Sequence, residues 1–233
     1  MYDITKIDKD ELMPKNEAKA LKEIADNIEY RDFIENLSAI NLKYMAGMME
    51  VKTKIEILNE DLKIRYNYNP IKSIQTRLKT PESIIKKMNK MNLDVNINNL
   101  KNNIRDVAGV RIICKYVPDI FKIVEMIKGD SDLIIVKEKD YVNNPKESGY
   151  RSYHLIVKIP INLTTGKEVV PVEIQIRTMS MDFWASLEHE LVYKYNGTIP
   201  EDVAKEMVDT SIEVMKLDEK MYKIKEIILK NNE

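Results

Sequence analysis

Between residues 16 and 66 apolar side chains return every three or four positions: Leu21, Ile24, Ile28, then Leu37, Tyr44, Met48, Val51, Ile55, Leu58 and Leu62. That interval is one face of a 3.6-residue helix, so the segment predicts one or two amphipathic helices. Gly47 is the only helix-weakening residue in the later part, which can run about 35 residues, or ~50 Å at about 1.5 Å per residue. After Pro200 the same spacing returns in Val203, Met207, Val214, Leu217, Met221, Ile224 and Ile228. Apolar stripes of this length need a partner, either each other or another subunit.

Between the flanks the period shortens to two, bounded by turn residues. The pattern predicts strands near 72–79, 107–115, 132–138, 151–159 and 168–177, with helices at about 81–91, 119–128 and 180–195. The run Asn162 to Lys167 (NLTTGK) predicts a hairpin loop that makes the last two strands antiparallel. The expected fold is α+β, with a central mixed or antiparallel sheet of about five strands. It forms a single domain, with a helical flank 1–70, a core 71–197 and a C-terminal helical flank 198–233.

Composition narrows the class. With 44% hydrophobic and 32% charged residues in 233, and only 6 Gly and 8 Pro, the chain reads as a helix-rich globular protein. A single cysteine, Cys114, excludes an internal disulfide. The charged N-terminal region lacks a signal-peptide core, and no window is apolar enough to span a membrane, so a cytoplasmic protein without membrane contact is expected. The 37 basic side chains against 38 acidic ones argue against a general nucleic-acid binder. The positive charge is local: Lys63 to Lys90 holds eight Lys or Arg and one acid, Glu82. Such a patch suits a compact anion such as a nucleotide.

Four segments could carry chemistry. In Val169 to Thr178, alternation puts Val170, Val172, Ile174 and Ile176 on one face and Glu173, Gln175 and Arg177 on the other, a face that is either solvated or a site. In Ile71 to Thr80, Arg77 and Lys79 share a parity, and Thr80 can cap a helix beginning at Pro81. Ser83 and Lys87 lie four apart on that helix, whose N-terminus offers N–H groups to phosphate. In Arg105 to Cys114, Asp106 opens an apolar strand that Arg111 interrupts; Gly109 could mark a bulge that shifts the parity. Lys139 to His154 is a loop leading into a strand that presents Tyr150, Ser152 and His154 on one face. An aromatic ring among cations suits base stacking, though a half-buried strand tyrosine has the same pattern.

Together, RxKTPESIxxKM at 77–88, RDVAGVRIIC at 105–114, KDYxxNPKxxGYRSxH at 139–154 and VEIQIRTxxMDFWASLEH at 172–189 resemble, in order and spacing, the synthetase domain of RelA/SpoT-type (p)ppGpp synthetases. The helical flanks resemble the stand-alone branch, the small alarmone synthetases. The metal-dependent hydrolase domain of long members has no room, and the two histidines, His154 and His189, both lie inside the synthetase segment. The resemblance implies a nucleotidyltransferase-like sheet and pyrophosphate transfer from ATP to the 3′-hydroxyl of GTP or GDP. It implies that Arg77 and Arg111 sandwich the adenine and that Lys79, Ser83 and Lys87 hold the ATP phosphates. Asp106 and Glu173 would bind Mg²⁺ and act as the catalytic pair, with Glu173 helping to deprotonate the attacking hydroxyl. Lys146, Tyr150 and His154, with Gln175 and Arg177, would serve the guanine nucleotide. The loop departs from the family pattern at Glu147-Ser148, which bears on the choice of acceptor.

Phosphoryl-type transfer needs in-line placement and charge neutralisation, which two carboxylates with a metal and a set of cations can supply. Neither GxxxxGK[ST] nor GxGxxG occurs. The competing readings are another nucleotidyl- or pyrophosphoryl-transferase on the same sheet and an RNA-binding regulatory protein that has lost catalysis; intact Asp106 and Glu173 argue against loss. The basic segment leaves room for weak RNA binding. The stripes on the flanks predict a symmetric homo-oligomer, with a tetramer expected.

Overall fold

The structure, a computed structural model, describes residues 28–194 and 199–231. Residues 28–43 and 79–105 belong to one compact unit, and 44–78 with 106–194 and 199–231 to another. Helix α1, Ile28–Tyr66, is one continuous helix of 39 residues. Phe33, Leu37, Ile40, Tyr44, Met48, Val51, Ile55 and Leu62 are buried along it, the stripe that the three-and-four spacing predicts. Its expected beginning before residue 28 lies outside the described residues.

In the smaller unit, α2 (Pro81–Lys90) begins where expected. Thr80 is extended, its Oγ1 accepts the Ser83 N–H at 3.3 Å, and Pro81 opens the first turn. Ile84, Ile85 and Met88 form its buried side. A short helix α3, Ile97–Asn103, was not expected. Its sequence INNLKNN has one buried residue, Leu100, and hence no readable period; its one local signal is Asn96, which caps the Asn99 N–H at 2.9 Å.

In the larger unit five strands form one mixed sheet: β1 (Ile71–Leu78), β2 (Ala108–Cys114), β3 (Ile134–Asp140), β4 (Tyr153–Leu163) and β5 (Gly166–Thr178). The spatial order is β1-β2-β5-β4-β3, with β2 and β5 parallel and all other pairs antiparallel. Helix α4 (Val117–Gly129) packs on β2 and β5, followed in the chain by α5 (Met179–Lys194) and α6 (Glu201–Lys230). Val110, Ile112, Leu155, Val157, Ile159, Val170, Val172, Ile174 and Ile176 make the buried apolar face. Each such side chain stabilises the fold by about 1.5–3 kcal/mol. Helix α1 crosses this face at Gly47, where a Cβ would come within 3.2 Å of the Val170 Cβ. Gly47 is therefore the contact point of α1 with the sheet and does not end the helix.

Several boundaries differ from expectation. The β4–β5 hairpin turns in two residues, Thr164 and Thr165, because Asn162 already pairs with Lys167 and Leu163 with Gly166. Strand β3 lies two residues later than predicted and its register shifts between Ile135 and Lys137, which breaks the alternation. Gly109 is not a bulge: it pairs in register with Arg77 and Glu173, and the irregularity lies between Ile71 and Ser73. Tyr150 and Ser152 precede β4 and do not share a strand face with His154. Ser152 is buried, and its hydroxyl donates to the Ile176 carbonyl at 3.3 Å.

Helix α6 packs within its own chain, through Thr178 Oγ1 donating to Asp218 at 2.5 Å and Tyr116 edge-on to Tyr222 at 5.7 Å. Leu217, Met221, Ile224 and Ile228 nevertheless remain exposed. Among the described residues no helix is long and apolar enough to cross a membrane.

Candidate active site

The register puts Arg77, Arg111, His154, Glu173 and Gln175 on the face opposite the apolar one. Gln75 pairs with Arg111 and Arg77 with Gly109 across β1 and β2; Arg111 pairs with Gln175 across β2 and β5; His154 pairs with Gln175 across β4 and β5. The parity expected for Glu173, Gln175 and Arg177 holds, and the three bond in a row. Gln175 Nε2 donates to Glu173 at 2.9 Å, and Arg177 Nη2 donates to Gln175 Oε1 at 2.9 Å.

These bonds continue into a closed ring of side chains. Arg177 Nη2 also donates to the Tyr150 hydroxyl oxygen at 2.5 Å, the Tyr150 hydroxyl lies 2.9 Å from His154 Nε2, and His154 Nδ1 lies 3.4 Å from Glu173 Oε1. A guanidinium only donates, so the Tyr150 oxygen accepts from it, and Glu173, an ionised carboxylate, accepts from His154 Nδ1. Asp182, in the first turn of α5, receives Arg177 Nη1 at 3.1 Å and Arg111 Nη1 at 3.3 Å. Arg177, only 4% exposed, is thus spent on Tyr150, Gln175 and Asp182, and it braces the site from within.

Electrostatics follow from burial. Burial pushes the Glu173 carboxyl up, and the Asp106 charge adds to that, but hydrogen bonding and charge from His154, with a bond from Gln175, outweigh both and hold it below the usual glutamate value. Burial, joined by the Arg177 and Arg77 charges, draws the Arg111 guanidinium below its usual value, and Asp182 works against that shift. The charges of Arg77, Arg177 and Asp182 thus act on Arg111, and those of His154 and Asp106 act on Glu173.

Over the β3–β4 loop, Lys146 Nζ stands 4.6 Å from the Tyr150 ring centre and 5.1 Å from that of Tyr141. Tyr141 also meets His154 edge-on at 5.3 Å. Both Tyr141 and Asp182 escaped sequence reasoning although they sit inside the motif segments, since neither falls on a strand face whose parity could be counted. In the smaller unit, Lys79 directly precedes the cap Thr80, and Ser83 and Lys87 lie one turn apart on α2. The Thr80 hydroxyl donates to Ser83 Oγ at 3.0 Å, which fixes the first turn. The Ser83 N–H is taken by Thr80 Oγ1 and Pro81 has none, so what favours an anion at that turn is the positive end of the helix dipole.

Residues 76–198 match the model of the region found in RelA/SpoT proteins. The chain belongs to the RelA/SpoT family. Within that family it is 42% identical over 184 residues to the GTP pyrophosphokinase YwaC of Bacillus subtilis, spanning 79% of this chain and 88% of that protein. It is 37% identical over 182 residues to the GTP pyrophosphokinase YjbM of the same organism, spanning 78% and 85%. Its fold is similar to that of small alarmone synthetase 1 from Bacillus subtilis bound to its product pppGpp. The TM-score is 0.76 at 35% identity, over 83% of this chain and 98% of that one.

Asp106 and Glu173 offer hard oxygen ligands of the kind a divalent cation takes, and the Asp106 charge acts on Glu173. Among the described residues no group of three or more His, Cys, Asp or Glu side chains is placed to hold a metal ion.

Proposed function

We infer that this chain transfers the pyrophosphate group of ATP to the 3′-hydroxyl of GTP or GDP, releasing AMP and forming guanosine penta- or tetraphosphate. The observation that carries this reading is the closed ring Glu173–His154–Tyr150–Arg177–Gln175. It is joined to Arg111 through Asp182, in a chain 42% identical to a GTP pyrophosphokinase over most of its length.

The chemistry is an in-line displacement at the β-phosphorus of ATP. The 3′-oxygen forms the new bond, the bond from the β-phosphorus to the oxygen bridging the α- and β-phosphates breaks, and AMP leaves. Glu173, kept ionised by His154 and Gln175, takes the hydroxyl proton. Arg77 and Arg111 hold the adenine between two planar guanidinium groups, and Lys79, Ser83 and Lys87 bind the triphosphate. Tyr150 stacks on the guanine, with Arg177 fixing its hydroxyl and the exposed Lys146 yielding its position over the ring to the base. His154 and Gln175 orient Glu173 and face the acceptor phosphates. Asp106 and Glu173 would hold Mg²⁺, which when bound neutralises charge on the phosphates.

The test is to incubate the protein with ATP, Mg²⁺ and each guanine nucleotide and to separate the products by anion exchange. A guanosine tetra- or pentaphosphate forming together with AMP supports the reading; ATP consumed without a more highly phosphorylated guanosine overturns it. Asp106→Asn and Glu173→Gln, which remove charge at nearly constant volume, retain less than about a tenth of the turnover, a barrier change above ~1.4 kcal/mol.

The exposed stripe of α6 also supports a homo-oligomer; a tetramer acting in the cytoplasm is the form we propose. Met221→Glu then dissociates the assembly in light scattering and leaves the chain folded. A monomeric wild type at micromolar concentration contradicts this. Weak RNA binding through the basic segment is a lesser proposal, read out by a steep loss of binding with salt.

A further inference from the structure

The loop from Tyr141 to Ser152 is largely closed by its own bonds. Asp140 Oδ1 accepts the N–H groups of Val142 and Asn143, each at 2.9 Å. Arg151 Nη1 donates to the Val142 carbonyl at 2.7 Å, and the tip folds through Gly149 N–H to the Lys146 carbonyl at 2.8 Å. The tip then meets α6. Buried Ser211 donates its hydroxyl to the Gly149 carbonyl at 2.5 Å. Gly149 has φ +87°, and a Cβ there would lie 2.8 Å from the Ser211 Cβ and 3.3 Å from the Val208 Cα. Gly149 is thus demanded twice, by its left-handed backbone and by the close passage of α6. Helix α6 is itself held at this level, since Trp184 Nε1 donates to the Met207 carbonyl at 3.2 Å and Asp218 binds Thr178 seven residues beyond Ser211.

We propose that Ser211 is a positioning residue for the acceptor nucleotide: by holding the Gly149 carbonyl it sets the backbone from which Tyr150 projects. Helix α6 is thereby part of the acceptor site although it contributes no side chain to the guanine. The inference rests on the reading of Tyr150 as the guanine-stacking residue. Its physical basis is that Tyr150 follows Gly149 directly. The Tyr150 ring must also meet two fixed points, Arg177 Nη2 and His154 Nε2, through a hydroxyl that tolerates little displacement. Without the Ser211 bond the tip gains freedom, and part of the acceptor's binding energy goes into ordering it.

The experiment compares Ser211→Ala, Gly149→Ala and Tyr150→Ala with wild type, varying ATP and the guanine nucleotide separately and recording thermal unfolding of each. Loss of one buried hydrogen bond corresponds to about a three- to tenfold change. In Ser211→Ala the guanine-nucleotide KM therefore rises by about that factor, while the ATP KM and kcat at saturation stay within about twofold. Gly149→Ala raises the same KM further, and adding Ser211→Gly to it recovers the part due to the collision. If Tyr150→Ala raises the acceptor KM and Ser211→Ala does not, even with lowered thermal stability, Ser211 is merely structural and the proposal falls while the loop assignment stands. An equal rise in both KM values overturns it as well. If Tyr150→Ala spares the acceptor KM, the stacking assignment fails and the proposal falls with it.

Discussion

Tyr150 is asked to do two things, and the pair Tyr150→Phe and Tyr150→Ala separates them. Its ring is the stacking surface, and its hydroxyl joins Arg177 at 2.5 Å to His154 at 2.9 Å. Phenylalanine keeps the ring and removes both bonds. One is charge-assisted and ordinarily contributes about 1.5–3 kcal/mol, the other about 0.5–1.5 kcal/mol. Arg177 keeps Gln175 and Asp182, so its buried charge is not orphaned. The loss of stability then falls at the low end of their sum, about 2 kcal/mol. Alanine removes the ring as well, and with it a stack of about 1–3 kcal/mol, roughly a five- to hundredfold rise in the KM for GDP or GTP. Steady-state rates with each substrate varied against saturating partner, together with thermal unfolding, report both effects. The expected result is a large acceptor-KM effect for alanine, a several-fold smaller one for phenylalanine, and an ATP KM unchanged in both. An ATP KM rising in step with the acceptor KM would refute the reasoning, and so would a phenylalanine variant as impaired in acceptor KM as the alanine one.

Arg77→Ala has the opposite signature, raising the ATP KM and sparing that of the guanine nucleotide; equal effects in the same kinetic assay remove Arg77 from the adenine site. Asp218 gives a pH test. Burial raises its carboxyl above the usual aspartate value, against hydrogen bonds from Ser180 and Thr178 that lower it. The folded state then holds this proton more tightly than the unfolded one, and the resulting stability is full below the unfolded value and lost as pH rises through the folded one. Asp218→Asn cannot ionise, so its unfolding midpoint relative to wild type is higher at pH 7 than at pH 4; a constant or reversed difference contradicts the raised value.

How far the sequence reaches depends on whether a residue's environment is set by local period or by distant chain. The β5 face was legible because strict alternation from Val170 to Arg177 leaves one arrangement of buried and polar side chains. Helix α2 was legible from Thr80 and Pro81, a cap and a first-turn proline that act locally. The β3 boundaries were not, because the register shift between Ile135 and Lys137 breaks the period that would have located them. Helix α3 was missed because one buried leucine among asparagines has no period. Within the site, parity predicted the neighbours Glu173, Gln175 and Arg177, but it could not tell that Arg177 would be buried against Asp182 and Tyr150. Ser211 lies 62 residues from Gly149 in the chain, and nothing local to a serine on an amphipathic helix announces a carbonyl so far away.

The central claim is that two phosphates move together from ATP to a guanosine 3′-oxygen. Incubation with ATP labelled at the β-phosphate tests it directly. The account predicts that the label appears in the guanosine product and that the adenosine product is unlabelled AMP, at a rate that falls at least about tenfold in Glu173→Gln. Label retained in ADP, with only the γ-phosphate transferred, would contradict it.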